Sequence, residues 1–335
     1  MTPETVLTGI KPTGTPHLGN WVGAIRPAVE LAKNPARRAF YFIADYHALT
    51  GLKDGPELQR YTYSVAAAWI ALGLDPERVV FYRQSDIPEV FELSWVLACF
   101  TPKGLMNRAH AYKAAIQKNQ EAGEDDIDAG INMGLYTYPI LMAADILVMN
   151  AKEVPVGSDQ QQHVEIARDI AQYFNRQYRA TIFTLPQALI DEQGAVIPGL
   201  DGRKMSKSYH NTIPIFASAE ELRKLVFRIA TDSSRPGEPK DPEKSTIFHL
   251  YRLLATPEEV AQLRHAYETG IAWKDAKEAL YTLIEERLRG PRQRYQELMA
   301  HPEELDRIFE KGAETARQEA RETLERVRQA VGIRR

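Results

Sequence analysis

The first half of the chain alternates short strand-like apolar runs with longer segments of helical periodicity. Strand-like runs occupy residues 6–10, 39–44, 78–82 and 153–156. Between and after them, apolar residues recur every three or four positions, which predicts helices over residues 20–33, 56–72, 89–99, 134–149 and 159–174. Buried strands separated by amphipathic helices are typical of a parallel sheet with covering helices.

The second half of the chain has a different pattern, because strand-like runs disappear from residue 215 onward. Helices are predicted over residues 218–229, 245–254, 257–267, 273–289 and 303–331, and a stretch rich in proline, glycine and aspartate predicts a loop at 232–243. We therefore predict an α/β fold with a Rossmann-like parallel-sheet nucleotide-binding domain over residues 1–212. An α-helical domain follows over residues 213–335.

Composition adds limits on compartment and partners. The 335 residues carry a formal net charge of −3, so any nucleic acid must be met by a local basic surface rather than by overall charge. The single cysteine, Cys99, lies in an apolar run and is expected to be buried; it cannot form an internal disulfide and fits a reducing compartment. The chain begins with no secretory pattern and contains no apolar run near the roughly 20 residues that span a bilayer. We expect a cytoplasmic protein without membrane contact.

The first segment with recognisable chemistry is TGIKPTGTPHLGNWV, which starts at Thr8. A strand is predicted to end near Gly9 and a helix to begin near His17, and a helix start at the mouth of a parallel sheet offers free N–H groups to an anion. Gly19 leaves room for a base or phosphate against the backbone, and His17 and Asn20 supply polar groups. Ordinary turn chemistry, with His17 as a helix cap, is the alternative for this segment taken alone.

The second such segment is GRKMSKS at residues 202–208. Lys204 and Lys207 lie three residues apart among small residues, which predicts a mobile loop able to close over a polyphosphate. Such lysines would stabilise the charge that develops on a departing pyrophosphate. A solvated basic loop is the alternative, but the string KMSKS together with the first motif makes coincidence a poor explanation.

The two segments together resemble the paired signatures of class I aminoacyl-tRNA synthetases. The resemblance is carried by Pro12 to Asn20, ending in HLGN, and by KMSKS at residues 204–208. It implies that ATP is a substrate, that Mg²⁺ is carried on the ATP phosphates, and that no protein residue binds a metal directly. Amino-acid activation in this class needs no covalent enzyme intermediate, so positioning and electrostatics supply the catalysis.

The segment at residues 134–169 points to the amino acid. Asp145 interrupts an otherwise apolar helix, and a buried carboxylate needs a donor partner. That partner is either the ring N–H or O–H of a substrate or a group of the protein core. Ser158 and Gln161 form a capping-box pattern after a strand, which would place Asp159 for ribose hydroxyls and Gln160 for the amino or carboxylate group of a substrate.

This block is similar to the tryptophan branch of class I over the patterns YPxLMAADIL and VPVGxDQxxHxExxRD, and residues 304–320 resemble its closing helix. The branch implies tryptophan–tRNA ligation, with L-tryptophan and tRNA(Trp) as partners, a homodimer, and anticodon reading by the helical domain. Tryptophan binding is implied for Asp145, Met142, Tyr138 and Gln160, and catalysis for Lys204, Lys207, His17 and Asn20. ATP binding is implied for Lys11, Pro12, Thr13, Gly19, Asn20, Gly157, Ser158, Asp159, Ile197, Lys204, Met205, Ser206, Lys207 and Ser208.

Two other functions and two departures from the common pattern stay open. A tyrosine-activating enzyme would usually carry a C-terminal RNA-binding module with strands, whereas this chain ends in helices. A non-catalytic RNA-binding paralogue would usually lose its phosphate-handling residues, whereas this chain has His17, Gly19, Asn20, Lys204 and Lys207. Lys11 stands where many bacterial members have glutamine. Residues 102–119 match only loosely, so the phosphate-binding lysine expected there is uncertain, with Lys113 as a candidate. We hypothesise that Lys11 compensates.

Overall fold

A computed structural model describes residues 3–157, 160–190 and 197–334. Its sheet has five strands, all parallel, in the order β3-β2-β1-β4-β5. The strands are β1 Glu4–Ile10, β2 Arg37–Ile43, β3 Val80–Arg83, β4 Glu153–Val156 and β5 Gln187–Ile190. The prediction of a Rossmann-like α/β fold is confirmed.

Helices cover the sheet and make up most of the rest of the described chain. Those that connect or flank the strands are α1 Leu18–Asn20, α2 Arg26–Ala32, α3 Asp45–Ala48, α4 Gly55–Ala71, α5 Pro88–Phe100, α6 Lys103–Met106, α7 His110–Ala122, α8 Met133–Val148 and α9 Gln161–Tyr178. A π-helical turn, Trp21–Ile25, joins α1 to α2. The later helices are α10 Ala219–Phe227, α11 Thr246–Arg252, α12 Pro257–Glu268, α13 Trp273–Ala300 and α14 Pro302–Ala330.

Alternate residues of the strands enter two different cores, one on each face of the sheet. Leu7 and Phe42 pack with α5, α8 and α9 on one face, and Val6 and Tyr41 pack with α2 and α4 on the other. Helix α14 joins both cores and lies against β3. Its Gly312 approaches the backbone so closely that a Cβ atom would lie 1.9 Å from the Phe81 carbonyl oxygen, so only glycine fits there.

A third core ties the two signature segments to the later helices. It contains Leu18 at the start of α1, Met205 of residues 202–208 (the lysine loop) and Ile213, together with buried residues of α10, α11, α12 and α13. The predicted boundary near residue 213 therefore lies beside a buried side chain of this core. The division into two domains, and the role of the second, stay predictions.

The structure departs from the predicted elements at a few places. Strand β5 and helix α7 carry too weak a pattern to have been predicted. Helix α13 continues through Pro291 to Ala300, whereas the predicted helix ended at residue 289. Cys99 is exposed rather than buried, so that expectation is wrong. Helix α5 buries Leu93, Val96 and Leu97 on one stripe, and Cys99 lies outside that stripe.

Candidate active site

A cavity opens where the strand order of the sheet reverses, between β1 and β4. Parallel sheets bind ligands at such a point, above the carboxyl ends of the strands. The cavity has a volume of about 410 Å³, and apolar side chains such as Phe42, Ile146 and Val154 form much of its wall. Of the candidates from the sequence, Lys11, Tyr138, Met142, Asp145 and Gln160 all line it.

Asp145 lies at the buried end of this cavity and is held by two other side chains. Nε2 of His47 lies 2.9 Å from its Oδ2, and Nε2 of Gln84 contacts Oδ1 at 3.0 Å and Oδ2 at 2.9 Å. Burial raises the pKa of Asp145, and the hydrogen bonds from His47 and Gln84 oppose that rise. The expected donor partner of the buried carboxylate is therefore provided by the protein, and the carboxylate also borders the cavity.

His47 and Gln84 were missed by the sequence analysis. His47 belongs to α3, which follows β2, and Gln84 begins the 3-10 turn Gln84–Asp86, which follows β3. Polar residues directly after buried strands are the signal that was available, because the carboxyl ends of parallel strands meet at one edge of the sheet. Gln84 is completely buried, and its amide oxygen accepts the backbone N–H of His47 at 3.2 Å. The Gln84 amide therefore hydrogen-bonds to both His47 and Asp145.

One wall of the cavity is built by α8, and α9 supports it through His163. The Tyr138 hydroxyl is hydrogen-bonded to Nε2 of the buried His163, and the Tyr138 ring meets the His47 ring edge-on at 6.0 Å between centroids. Met142 lies one helical turn before Asp145 on the same helix and also lines the cavity. The wall thus presents aromatic and thioether surface close to a carboxylate, which suits a flat aromatic ligand with one ring donor.

The mouth of the cavity is formed by the end of β1. Lys11 is the one lysine or arginine among the described lining residues, and its Nζ donates to Oγ1 of Thr50 at 2.8 Å. Burial lowers the pKa of Lys11. Gly9 also lines the mouth, and a Cβ atom at that position would lie 2.6 Å from the ring of Phe42. Glycine there lets the Phe42 ring form part of the cavity wall.

The structure brings together the two signature segments, which are almost 200 residues apart in the sequence. The Lys207 ammonium donates to the Thr13 carbonyl at 2.6 Å, and the Gly19 N–H points to Sδ of Met205 at 3.3 Å. The backbone N–H of Leu18 also donates to the Ile213 carbonyl at 2.8 Å. The first motif and the lysine loop therefore form one surface beside the cavity mouth.

Charge at this surface comes from lysine rather than from histidine. Burial, and secondly the nearby Lys207 charge, lowers the pKa of His17 to about 4. His17 is therefore neutral at pH 7, and its ring N–H is able to donate without adding charge. Burial also lowers the pKa of Lys207. Asn20 accepts the backbone N–H of His17 through its side chain at 3.0 Å, which fixes the start of α1.

Most of the remaining described ATP-binding candidates belong to the first motif or lie in and beside the lysine loop. Ile197 is buried and its carbonyl accepts the Met205 N–H at 2.8 Å, while Lys204 is exposed beside it. The other described candidates are Pro12, which is buried, Ser206 and Ser208 of the lysine loop, and Gly157, which is exposed after β4. Ser158 and Asp159 lie outside the described residues. Lys113 is exposed on α7, one turn from the start of that helix.

Comparison with known families matches most of the chain. Residues 2–289 match the model of the class I tRNA synthetases for tryptophan and tyrosine. A tryptophan–tRNA ligase of Neisseria meningitidis is 55% identical, and the alignment covers 100% of this chain and 99% of that protein. One from Xanthomonas campestris is also 55% identical, over 98% of this chain and 76% of that protein.

Solved structures give the same result. The tryptophanyl-tRNA synthetase of Campylobacter jejuni, crystallised with ADP and tryptophan, superimposes with a TM-score of 0.90 at 42% identity over 98% of this chain and 99% of that one. The enzyme of Mycoplasma pneumoniae has a TM-score of 0.80 at 26% identity, over 99% of this chain and 98% of that one. No helix within residues 3–157, 160–190 and 197–334 is long and apolar enough to cross a membrane.

Proposed function

The chain belongs to the class I tRNA synthetases for tryptophan and tyrosine, and we propose that the cavity around Asp145 selects the tryptophan that it joins to tRNA(Trp). Tryptophan–tRNA ligation is the activity of this chain, since it is 55% identical over nearly its whole length to tryptophan–tRNA ligases. The reaction has two steps. Tryptophan and ATP give tryptophanyl-adenylate and pyrophosphate, and tryptophan is then transferred to the 3′ end of the tRNA.

The observation that carries tryptophan selection is a buried carboxylate in an otherwise largely apolar cavity. A carboxylate has about four acceptor positions, and the contacts from His47 and Gln84 account for three. The remaining position accepts the indole N–H, while Met142 packs against the ring. Tyr138 and Gln160 hold the amino end of the substrate nearer the mouth of the cavity.

Adenylation then takes place at the cavity mouth. A carboxylate oxygen of tryptophan attacks the α-phosphorus of ATP, the bond from that phosphorus to the β-phosphate oxygen breaks, and pyrophosphate leaves with the bond's electron pair. Lys204 and Lys207 stabilise the negative charge that develops on pyrophosphate, which is the kind of interaction that lowers the barrier most. Lys11 adds a cation near the ATP at the cavity mouth, and neutral His17 and Asn20 position the phosphates.

The Mg²⁺ of this reaction reaches the site on the ATP phosphates. Within the described residues, no three His, Cys, Asp or Glu side chains come together in a way that could hold a metal ion. The surface beside the mouth instead offers lysines and backbone N–H groups, which suit phosphate oxygens. Mg²⁺ supplies charge neutralisation on those oxygens, and the protein positions the phosphates around it.

The partners of the helical region complete the proposal. Residues 213–335 read the anticodon of tRNA(Trp), and the chain works in the cytoplasm as a homodimer. Full-length similarity to tryptophan–tRNA ligases supports tRNA(Trp) as the partner, and the resemblance of the sequence motifs to the tryptophan branch of class I supports the other assignments. The molar mass in solution, measured by light scattering, tests the dimer.

ATP–pyrophosphate exchange with tryptophan, tyrosine and phenylalanine tests the selection. We expect rapid exchange with tryptophan, none with tyrosine and only a weak residual rate with phenylalanine. In Asp145→Asn and Asp145→Ala the rate with tryptophan should fall far more than the residual rate with phenylalanine, because a site built to bind a ring donor depends on its acceptor. Asp169→Asn, at an exposed position of α9, is the matched control. Exchange with tyrosine, or an equal loss for tryptophan and phenylalanine, would contradict the proposal.

A further inference from the structure

The lysine loop is organised around one buried amide, that of Asn211. This side chain is 2% exposed although the loop around it lies at the surface. Its Oδ1 accepts the backbone N–H of Ser206 at 2.8 Å, and its Nδ2 donates to the Lys204 carbonyl at 3.1 Å and to Oδ1 of Asp201 at 2.7 Å. The amide therefore contacts the backbone on both sides of Met205.

The surrounding backbone is shaped so that this amide fits. The Asn211 carbonyl accepts the Leu200 N–H at 2.9 Å, so main chain and side chain both join the start of the loop. At Gly199 a Cβ atom would lie 2.4 Å from Cγ and Nδ2 of Asn211, which leaves glycine as the residue that fits. His210, directly before Asn211, has φ of 51°, a left-handed conformation that costs free energy in a non-glycine residue. Such a conformation persists where the neighbouring contacts hold it.

Asp201 completes the arrangement and keeps the amide in one orientation. Its carboxylate accepts the Arg203 backbone N–H at 3.1 Å and the Arg203 Nε at 2.7 Å, besides the Asn211 amide. The hydrogen bond from Asn211, followed by those from Arg203, lowers the pKa of Asp201, so it is an anion at neutral pH. An anion facing Nδ2 prevents the amide from flipping, since a flip would place two oxygens against each other.

We propose that Asn211, held by Asp201, is a positioning residue that sets the place of Lys204 and Lys207 for pyrophosphate departure. It contacts no substrate itself. It fixes the Lys204 carbonyl and the Ser206 N–H, two backbone groups that lie between the Cα atoms of the two lysines. Placement of charge relative to the reacting atoms decides such catalysis, and errors of about 1 Å cost about 100-fold in rate. The inference rests on the proposed function of the lysines.

The sharpest variant is Asn211→Asp, which has almost the same shape. It keeps the acceptor for Ser206 but turns an oxygen toward Asp201 and toward the Lys204 carbonyl. We expect kcat for ATP–pyrophosphate exchange to fall about 10- to 100-fold, with KM for tryptophan changed less than about threefold. Transfer of tryptophan from isolated tryptophanyl-adenylate to tRNA should be unchanged, because no pyrophosphate leaves in that step.

The pH profile separates positioning from a general loss of structure. Two facing carboxylates share a proton at low pH, and this proton restores a hydrogen bond in place of the repulsion. The exchange defect of Asn211→Asp should therefore be smaller at pH 6 than at pH 8. Asn175→Asp is the matched control: its amide also accepts two backbone N–H groups and donates to a carbonyl, but in α9, far along the chain from the loop. It should leave the exchange kinetics as in the wild type.

The outcomes are distinguishable. The inference is overturned if the exchange kcat of Asn211→Asp stays within threefold of the wild-type value. It is also overturned if both half-reactions lose activity equally. Absence of exchange in the wild-type protein overturns the proposed function instead. If Asn211→Asp does not fold, Asp201→Asn replaces it, because that side chain is about one-third exposed. A selective fall in exchange kcat of about 3- to 10-fold then supports the inference, and unchanged kinetics overturns it.

Discussion

Replacing Gln84 by methionine tests how the protein prepares Asp145 for its substrate. Methionine has a similar length and no donor, so Gln84→Met removes the amide group that lies 3.0 and 2.9 Å from the two carboxylate oxygens. It also removes the acceptor of the His47 N–H. Among the described residues, the His47 side chain is then the one that still hydrogen-bonds to the Asp145 carboxylate.

The magnitude follows from the kind of interaction that is lost. A hydrogen bond to a charged group contributes about 1.5–3 kcal/mol, and about 1.4 kcal/mol corresponds to tenfold in an equilibrium. The Gln84 hydrogen bonds lower the pKa of Asp145 against the effect of burial, so their removal raises it. The ionised form that accepts the indole N–H becomes less populated as pH falls. We therefore expect kcat/KM for tryptophan to drop about 10- to 100-fold on the acidic side, with the acidic limb of the profile moved to higher pH.

The assay is ATP–pyrophosphate exchange with tryptophan from pH 5 to pH 9, with urea unfolding followed at the same pH values. Gln162→Met is the matched control, since the Gln162 amide also makes two hydrogen bonds, to the His110 N–H and the Arg108 carbonyl, but none to Asp145. It should leave the pH profile in place. An acidic limb that does not move in Gln84→Met, in a variant that is folded, would refute the assigned role.

Three further results follow from single contacts. Gly312→Ala should lower the free energy of unfolding by about 1–3 kcal/mol, because its Cβ meets the Phe81 carbonyl. Gly290→Ala is the control, since its Cβ has open space around it in α13, and it should raise the free energy of unfolding by up to about 1 kcal/mol. Equal effects of the two substitutions would contradict the packing. The pKa of His17 is lowered from 6.5 to about 4, so between these pH values the unfolded chain binds a proton that the folded chain does not. The free energy of unfolding should therefore fall by at most about 3 kcal/mol as pH drops from 6.5 to about 4. Urea unfolding of His17→Gln should show a weaker pH dependence; an unchanged dependence would contradict the lowered pKa. Lys11→Gln should raise KM for ATP or slow adenylation about 10-fold in pyrophosphate exchange, and unchanged kinetics would refute compensation by Lys11.

Much of the architecture could be predicted because it rests on local patterns. The apolar runs of β1, β2, β3 and β4 and the periodicity of the long helices lie in the sequence itself. Strand β5 has only four residues, Gln187–Ile190, and none of them is fully buried, so it leaves little pattern. Cys99 was misplaced because α5 is apolar on most of its circumference, and composition alone does not say which side faces the core.

The site was predictable as far as its motifs extend along the chain. Residues 12–20 and 204–208 carry a recognisable string, and Asp145 is conspicuous as a charge in an apolar helix. His47, Gln84 and Asn211 are ordinary polar residues in short helical turns or loops. His47 and Gln84 become important only when the segments after β2 and β3 meet Asp145 of α8, and Asn211 only when the lysine loop folds back on it. Their roles depend on tertiary placement, which no local rule contains.

The contact between α14 and β3 also has a consequence for how the protein is made. β3 is one of the two outer strands of the sheet and ends at residue 83, while the helix that packs against it begins at residue 302. At the usual rates of synthesis of about 5–20 residues per second, roughly 10 to 45 seconds pass between the two. An uncovered strand is a template for pairing with other chains. We therefore expect substitutions that slow the docking of α14 to reduce the yield of native protein more than its final stability.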